Sequence, residues 1–358
     1  MHFVTRRRFL QSAAAGVAAA CALPAGTAER PVPSAARLPR WRGFNLLEKF
    51  VAEQKGPFLE EDFATLAEWG FDFVRLPMDY RCWASQTAWL ELNEAELKEI
   101  DAAVELGRQY GVHVCLNLHR APGYSVNAIA TEPVSLWENE KAQEAFAFHW
   151  RHFAERYKGI PASALSFDLV NEPAQVSEET YVRVALRAIE AIRAADPDRL
   201  IISDGLQWGR NPVKGLAQAG VAQSTRGYEP FRLTHYQASW VNGADTWETP
   251  AWPFTYGDAT WDKERLRETS IAPWKELEAL GVGVHVGEWG AFNRTPHAVV
   301  LAWMRDVLSL WAEAGWGWAL WNLRGSFGPL DSQRADVTYE TFRGRQLDRA
   351  MLELLRSN

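Results

Sequence analysis

The most informative stretch of the sequence is LSFDLVNEP, residues 165–173, a short apolar run that ends in an asparagine and a glutamate. A second stretch, VHVGEWG at residues 284–290, ends in a similar way with Glu288. Short apolar runs of this kind predict buried β-strands. A carboxylate at the tip of a buried strand is costly to desolvate unless pairing or function holds it there. Glu172 and Glu288 are therefore the first candidates for catalytic residues.

Strand-like segments alternate with helical patterns along most of the chain. Alternating β and α elements predict a parallel sheet, and eight repeats predict an α/β fold of the (β/α)8 or TIM-barrel type in a single domain. An open doubly wound sheet is the alternative, but residues 43–46, GFNL, are no glycine-rich phosphate loop. The eight strand candidates are Trp41–Leu47, Phe71–Met78, His113–Arg120, Leu165–Pro173, Leu200–Gly205, Arg232–Gln237, Val284–Gly290 and Trp316–Leu323.

Several helices have recognisable ends. Asn93 begins one helix and Gly111 ends it, Ser177 begins another that ends before Pro197, and Pro296 begins a third. Apolar residues recur at helical spacing within each of them. These patterns predict amphipathic helices that pack on the outside of the barrel.

The chain begins with an export signal. TRRRFLQ, residues 5–11, precedes a small, apolar run and then PAGTA at residues 24–28. The paired arginines followed by Phe9 and Leu10 indicate the twin-arginine route, and hence a periplasmic or extracellular protein. We expect cleavage after residue 28, with cleavage after residue 22 or lipidation of Cys21 as alternatives. A transmembrane anchor is disfavoured because the run is short and rich in alanine. Residues 29–40, with three prolines, predict an unstructured lead-in.

The composition excludes several classes of function. Residues 41–358 form the predicted catalytic domain, and the whole chain carries a formal net charge of −7, which disfavours nucleic acid or an anionic membrane as partner. Only Cys82 and Cys115 would remain after export, so no disulfide framework and no zinc-ligand spacing is present in the sequence. The 18 tryptophans favour a carbohydrate cleft, in which flat rings stack on sugars. We expect a monomer without cofactor or metal.

Polar side chains at the ends of the predicted strands would meet at one rim of the barrel, because catalytic groups of such barrels gather at the C-terminal ends of the strands. Each alone has an ordinary explanation, such as a salt bridge, a buried imidazole or a solvated carboxylate. Their joint placement is harder to explain without a shared site. The candidates are Arg75, His119, Asn171, Glu172, His235, Tyr236, Glu288 and Trp321.

The motifs that contain these residues resemble glycoside hydrolase family 5, the large cellulase family of clan A. The most specific element is Asn-Glu-Pro at residues 171–173 with the second glutamate at Glu288. The resemblance spans essentially the whole mature chain and implies a (β/α)8 barrel, a retaining mechanism and no cofactor. It also implies that Glu172 is the acid/base and Glu288 the nucleophile, with the other candidates as supporting residues.

The chemistry of retaining cleavage agrees with these roles. Glu288 must be ionised to attack the sugar, and Arg75 is the cation that would keep it so, while Tyr236 would orient it by a hydrogen bond. Glu172 must remain protonated near neutral pH, which requires an apolar setting near a charged Glu288. Asn171 is suited to hold the sugar 2-hydroxyl and Trp321 to form the floor beneath the sugar.

The sequence leaves open which sugar the protein binds. We expect a β-linked glucan-type polysaccharide or oligosaccharide. An exo-acting β-glycosidase or a β-mannanase is one alternative, and a non-catalytic carbohydrate-binding barrel is another. Aromatic residues beyond the strands could act as sugar platforms or simply pack in loops. They are Trp83, Tyr124, Trp137, Trp208, Trp240, Trp247 and Trp252.

Overall fold

Eight parallel strands close into a barrel in the computed structural model, which describes residues 32–126 and 131–358. Each strand pairs with the next one along the chain, and the eighth pairs with the first, so the predicted (β/α)8 barrel is confirmed. The predicted signal segment lies outside the described residues. The barrel strands are β1 Arg42–Asn45, β2 Phe73–Asp79, β3 His113–Ala121, β4 Leu165–Asp168, β5 Leu200–Asp204, β6 Ala222–Gly227, β7 Val284–Trp289 and β8 Gly317–Leu320.

Helices cover the outside of the barrel. A long helix follows each of the first four strands, whereas only short turns, Leu206–Gly209 and Lys214–Leu216, connect β5 to β6. The fifth helix contains a π-helical segment, Arg267–Ile271, between its two α-helical parts. The helices are α1 Glu60–Trp69, α2 Glu94–Tyr110, α3 Glu140–Arg156, α4 Glu178–Ala195, α5 Lys263–Leu266 and Ala272–Glu278, α6 His297–Ala314 and α7 Arg349–Arg356.

Shorter helical turns and strands lie between the main elements of the barrel. Single helical turns are Ala52–Gln54, Tyr80–Cys82, Phe231–Thr234 and Ala244–Thr246. Strand Tyr124–Ser125 pairs antiparallel with the end of β3. Two antiparallel hairpins are formed by Phe254–Tyr256 with Ala259–Trp261, and by Glu340–Phe342 with Arg345–Leu347.

The helix ends follow the side chains that the sequence places there. The Asn93 side chain accepts a hydrogen bond from the Ala95 amide at the start of α2, and Gly111 ends that helix in a left-handed conformation, with φ of 67°. Ser177 accepts from the Thr180 amide at the start of α4. These caps satisfy backbone groups that a helix leaves unpaired at its ends. The predicted starts of these helices are therefore confirmed.

The sixth predicted strand is wrong. We expected Arg232–Gln237, but the barrel strand is Ala222–Gly227, and Phe231–Thr234 is a helical turn. The sequence of β6, AQSTRG, has no apolar run although its first five residues are buried. The Gln223 side chain bonds to both the amide and the carbonyl of Val213, at 2.9 and 2.8 Å, so these buried polar groups are satisfied. A search for apolar runs does not find such a strand.

The part of the lead-in that is described is ordered, contrary to the expectation from its prolines. Ser34 and Arg37 form a tight turn with two backbone hydrogen bonds of 3.0 Å. The carbonyl of Ala35 accepts a hydrogen bond of 2.7 Å from the amide of Gly283, just before β7 begins. Gly283 is tightly surrounded there, since a Cβ would lie 3.0 Å from that carbonyl. The lead-in thus covers the barrel at the N-terminal ends of its strands.

Within residues 32–126 and 131–358, no helix is long and apolar enough to cross a bilayer.

We expect Gln223→Leu to lower the free energy of unfolding by about 2 kcal/mol, because the amide and carbonyl of Val213 would lose their buried partners. Denaturant titration of the purified variant measures this change. Gln109→Leu, an exposed change on α2, is the matched control and should alter the unfolding free energy by less than about 0.5 kcal/mol. Equal stability of the two variants would contradict the structural role given to Gln223.

Candidate active site

The two glutamates lie at the same end of the barrel. Glu288 belongs to β7, and Glu172 lies four residues after the end of β4. Glu172 has a left-handed backbone conformation, with φ of 50°, which costs a residue with a side chain about 1–2 kcal/mol. Its amide donates a hydrogen bond of 2.9 Å to Oδ2 of Asp204 at the end of β5. A neighbouring strand therefore holds the backbone of Glu172 in this conformation.

Arg75 is the centre of the hydrogen-bond network beneath this rim. It lies on β2 with 1% of its surface exposed. Its Nη1 donates to Oε1 of Glu288 at 2.6 Å, and its Nε donates to Oδ2 of Asp168 at 2.8 Å. Nη1 also donates to Oδ1 of Asn45 at 3.1 Å. Arg75 thus neutralises Glu288 in the position predicted from the sequence.

The side chain of Asn171 is oriented by two arginines. Its Oδ1 accepts hydrogen bonds from Nη2 of Arg75 at 2.8 Å and from Nη2 of Arg226 at 2.9 Å. Because arginine can only donate, the amide oxygen must face the two guanidinium groups. Nδ2 is then buried without a hydrogen-bond partner among the described residues. That donor is available for a substrate hydroxyl, which suits the role predicted for Asn171.

Glu172 is held by an arginine that the sequence analysis did not identify. Nε of Arg226, on β6, donates to Oε1 of Glu172 at 2.8 Å. The same guanidinium pairs with both oxygens of Asp204, and its Nη2 lies 3.5 Å from Oε1 of Glu288. One cation therefore contacts the side chains of both glutamates.

The network contains more acidic than basic groups. Asp168, Asp204, Glu172 and Glu288 share Arg75 and Arg226 within the described part of the barrel. Burial, followed by the charge of Glu288, raises the pKa of Glu172 to about 7 despite the opposing effect of Arg226. Burial and Asp204 likewise raise the pKa of Asp168 to about 7. Glu172 is therefore a proton donor near neutral pH and loses this function as the pH rises above that value.

Tyr228, rather than Tyr236, contacts Glu288. The hydroxyl of Tyr228 donates to Oε2 of Glu288 at 3.3 Å, and burial raises the pKa of Tyr228 so that it remains a donor. The hydroxyl of Tyr236 instead lies 3.0 Å from Oγ1 of Thr249. The prediction for Tyr236 is wrong because β6 ends at Gly227, so the residue that follows the strand is Tyr228.

His235 also lies off the barrel strands. It follows the turn Phe231–Thr234, and its ring stacks on Phe231 with centroids 4.1 Å apart. The Tyr228 ring meets it edge to face at 5.2 Å. Burial lowers the pKa of His235 to about 3, so the imidazole is neutral. His235 therefore supports Tyr228 by packing, and its contacts within the described residues do not include Glu172 or Glu288.

His119 and Trp321 lie together beside Phe50. Their rings are stacked with centroids 5.8 Å apart, and the Phe50 ring packs edge to face against both. Burial, assisted by nearby arginines, lowers the pKa of His119 far below its ordinary value. The ring of Trp321 is only partly buried. Trp321 can thus present a flat apolar surface, as predicted for the floor beneath a sugar.

The aromatic residues proposed as platforms differ in their exposure. Trp83 is buried and donates to His149, so it belongs to the core. Trp208 and Trp240 expose 38% and 58% of their surface. Trp208 lines a pocket of about 770 Å³ beside Gln175, close in sequence to Glu172. Other residues lining this pocket are Tyr124, Ser125, Val126, Ser135, Trp137, Glu138, Ala174, Val176, Ser177, Thr180 and Arg183.

One residue of the site that the sequence analysis does not name, Asp204, has a signal in the sequence. Asp204 ends the apolar run Leu200–Asp204, which is the same pattern that identified the two glutamates. Tyr124, named from the sequence as a candidate platform, donates a hydrogen bond to the carbonyl of Glu172 at 2.7 Å. Arg226 and Tyr228 had no such signal, because β6 is polar.

A barrel with two glutamates at the C-terminal ends of β4 and β7, both held by buried arginines and one with its pKa raised to about 7, defines a glycoside hydrolase. The family model for cellulase, glycosyl hydrolase family 5, matches residues 32–326, and the chain belongs to this family. It therefore acts on O-glycosyl bonds.

Individual relatives agree with this assignment. Endoglucanase C of Acetivibrio thermocellus is 28% identical over 306 residues, which cover 78% of this chain and 88% of the relative. A crystal structure of a glycoside hydrolase is 41% identical with a TM-score of 0.85, covering 89% of this chain and 99% of that one. Endoglucanase Cel5A of Thermotoga maritima has the same fold, with 23% identity, a TM-score of 0.71, and coverage of 88% and 96%.

We expect Tyr228→Phe to lower kcat/KM for a β-linked oligosaccharide about tenfold or more, because Glu288 would lose a hydrogen bond that orients it. Tyr236→Phe is the matched control and should change kcat/KM less than about twofold, since its hydroxyl bonds to Thr249 and Gln237 in the described part of the chain and not to Glu288. Initial rates at several substrate concentrations give both values. A larger loss for Tyr236→Phe would restore the original sequence-based assignment.

Proposed function

We propose that this protein is an exported, retaining β-glycoside hydrolase that cleaves glucan-type polysaccharides or oligosaccharides by double displacement. The observation that carries the proposal is the unequal electrostatic setting of the two glutamates. Both pair with an arginine, Glu288 with Arg75 at 2.6 Å and Glu172 with Arg226 at 2.8 Å, but burial and the charge of Glu288 still raise the pKa of Glu172 to about 7. One group is thus prepared to attack as a carboxylate and the other to donate a proton.

In the first step, Glu288 forms a bond to the anomeric carbon while Glu172 gives its proton to the leaving oxygen. Tyr228 and Arg75 hold the attacking carboxylate, and Nδ2 of Asn171 can bond to the sugar 2-hydroxyl as positive charge develops on the ring. In the second step, Glu172 takes a proton from water, which attacks the same carbon and releases Glu288.

The contacts of Arg226 support retention. Retaining enzymes place their carboxyl groups about 5–5.5 Å apart, whereas inverting enzymes leave about 6.5–9.5 Å for a water. Nε of Arg226 lies 2.8 Å from Glu172, and Nη2 of the same guanidinium lies 3.5 Å from Glu288. Both carboxylates thus lie against one guanidinium, which is consistent with the shorter separation of a retaining pair.

The substrate is proposed from the relatives and from the cleft. Structures of Thermotoga maritima Cel5A are described with cellobiose and with mannotriose. The pocket beside Gln175, with Trp208 and Trp137 in its wall, offers space and aromatic surface for a sugar on the side of the acid/base. A β-linked glucan is the first candidate, and the mannotriose complex makes β-mannan the second.

A panel of β-linked polysaccharides tests the substrate class. We would incubate the purified enzyme with cellulose, mixed-linkage β-glucan, β-mannan and xylan, and measure reducing ends and product lengths. Release of cello-oligosaccharides of several lengths would support endo-action on glucan, whereas a single short product would indicate exo-action. Cleavage of β-mannan alone would replace glucan by mannan in the proposal.

Substituting alanine for each glutamate should change the cleavage activity in a different way. Glu288→Ala should abolish cleavage of every substrate, because no other group can form the glycosyl–enzyme bond. Glu172→Ala should lose cleavage of polysaccharide by about 10²-fold or more, yet retain part of the first step on activated aryl glycosides, which need little protonation. Azide should then accelerate turnover of Glu172→Ala and give a glycosyl azide of retained configuration, measured by NMR spectroscopy.

Two results would show that these roles are wrong. One is full activity of Glu172→Ala on polysaccharide. The other is an azide product of retained configuration from Glu288→Ala, since azide replacing the nucleophile itself should invert the anomeric centre.

Export by the twin-arginine route is a proposal from Arg6 and Arg7. Replacing both by lysine should leave the full-length protein in the cytoplasm of a bacterial host that has this route. Cell fractionation and immunoblotting measure the distribution, and the unchanged sequence is the control. Unaltered export of the double variant would indicate the general secretory route.

A further inference from the structure

Arg226 is buried in the site and forms hydrogen bonds with several of its side chains. Its guanidinium is 2% exposed and donates to Glu172, Asp204 and Asn171. Nη1 also donates to Oγ of Ser224 at 3.0 Å. A buried guanidinium loses its hydration, so each of its donors needs a partner. Here the partners include the side chain that the proposed mechanism uses as proton donor.

Two glycines leave room for this arginine. A Cβ on Gly209 would lie 2.5 Å from Cγ of Arg226, and a Cβ on Gly287 would lie 2.9 Å from its Nη1. Gly209 has φ of 74°, a conformation that side chains other than glycine rarely adopt. The backbone on both sides is therefore shaped around Arg226, which restricts its guanidinium to one position.

Asp204 joins Arg226 to the backbone of the acid/base. Oδ2 of Asp204 accepts from the Glu172 amide at 2.9 Å and also from Nη2 of Arg226. Oδ1 accepts from Nη1 of the same arginine at 3.0 Å. Asp204 thus holds the Glu172 backbone directly and its carboxyl group through Arg226. A paired, planar contact of this kind fixes orientation, which a lysine could not reproduce.

The two oxygens of Glu172 are consequently unequal. Oε1 accepts the Nε–H of Arg226 at 2.8 Å. No donor to Oε2 is found within residues 32–126 and 131–358. A protonated carboxyl has one acceptor oxygen and one hydroxyl, and the oxygen that accepts from arginine is the acceptor.

We propose that Arg226 is a positioning residue for the acid/base, which directs the transferable proton to Oε2 of Glu172; this inference rests on the proposed function. In the first step, the Oε2–H bond breaks and the proton moves to the glycosidic oxygen as its bond to the anomeric carbon breaks. The new carboxylate is already paired with Arg226, so its charge is compensated as it forms. In the second step, Oε2 regains a proton from the attacking water.

The test is the dependence of kcat/KM on the leaving group. Acid assistance matters for a phenolate, which leaves poorly, and matters little for a dinitrophenolate, which leaves readily. We would measure Arg226→Met on phenyl and dinitrophenyl β-cellobioside, or on the same aryl glycosides of the sugar that the polysaccharide panel identifies. We expect a loss of about 10²-fold on the phenyl glycoside and about tenfold or less on the dinitrophenyl glycoside.

Two further variants separate positioning from stability. Arg199 is also buried, but it bonds to backbone carbonyls and Asp196 just before β5, at the opposite end of the barrel. Arg199→Met should destabilise the protein while leaving the ratio of the two rates unchanged. Arg226→Lys keeps the charge and should show the same selective loss to a smaller degree, which decides the question if Arg226→Met does not fold.

The inference would be overturned if Arg226→Met lost kcat/KM equally on the phenyl and the dinitrophenyl glycoside, and Arg226 would then have a structural role. If Arg226→Met does not fold, the same result for Arg226→Lys would overturn the inference. Unchanged rates would overturn it as well. These results are distinct from failure of the proposed function. In that case the wild-type enzyme would cleave neither aryl glycoside nor any polysaccharide of the panel.

Discussion

The site depends on the burial of two guanidinium groups inside the mouth of the barrel. Arg75 and Arg226 are almost fully enclosed and are shared by four carboxyl groups. Desolvating such ions is costly, and only complete hydrogen bonding compensates for it. Because the partners come from five different strands or their ends, the network can form only when the barrel has closed. The geometry of Asn171, Glu172 and Glu288 is therefore a property of the closed barrel and not of any single loop.

Much of the architecture could be predicted because the same stretches of sequence form the buried strands and carry the polar residues of the site at their ends. Seven of the eight barrel strands lie where the sequence predicted them. Glu172, Glu288, Arg75 and Asn171 could be identified because polar side chains at the ends of apolar runs are unusual, and because parallel strands all end at one rim. The stacking of Trp321 on His119 brings the remaining predicted pair together.

The sixth strand shows what such reasoning misses. Four of its five buried residues are polar, and two of these find partners outside the strand, Gln223 with Val213 and Thr225 with Gly209. Those partners are brought together by tertiary structure, so no local pattern reveals them. Because the predicted strand was placed too far along the chain, the tyrosine that supports Glu288 was assigned as Tyr236 instead of Tyr228. For the same reason Arg226 was not identified. Errors in the fold and in the site thus have one physical cause.

The turn formed by residues 34–37 determines where a second module fused ahead of it would be attached to the barrel. It packs beside Gly283, at the end of the barrel that faces away from Glu172 and Glu288. A carbohydrate-binding module, an affinity tag or a solid support joined ahead of this turn would be attached on the far side from the cleft. Polysaccharide could then approach the rim without steric hindrance, and a long chain could be bound by one module while it is cut by the other.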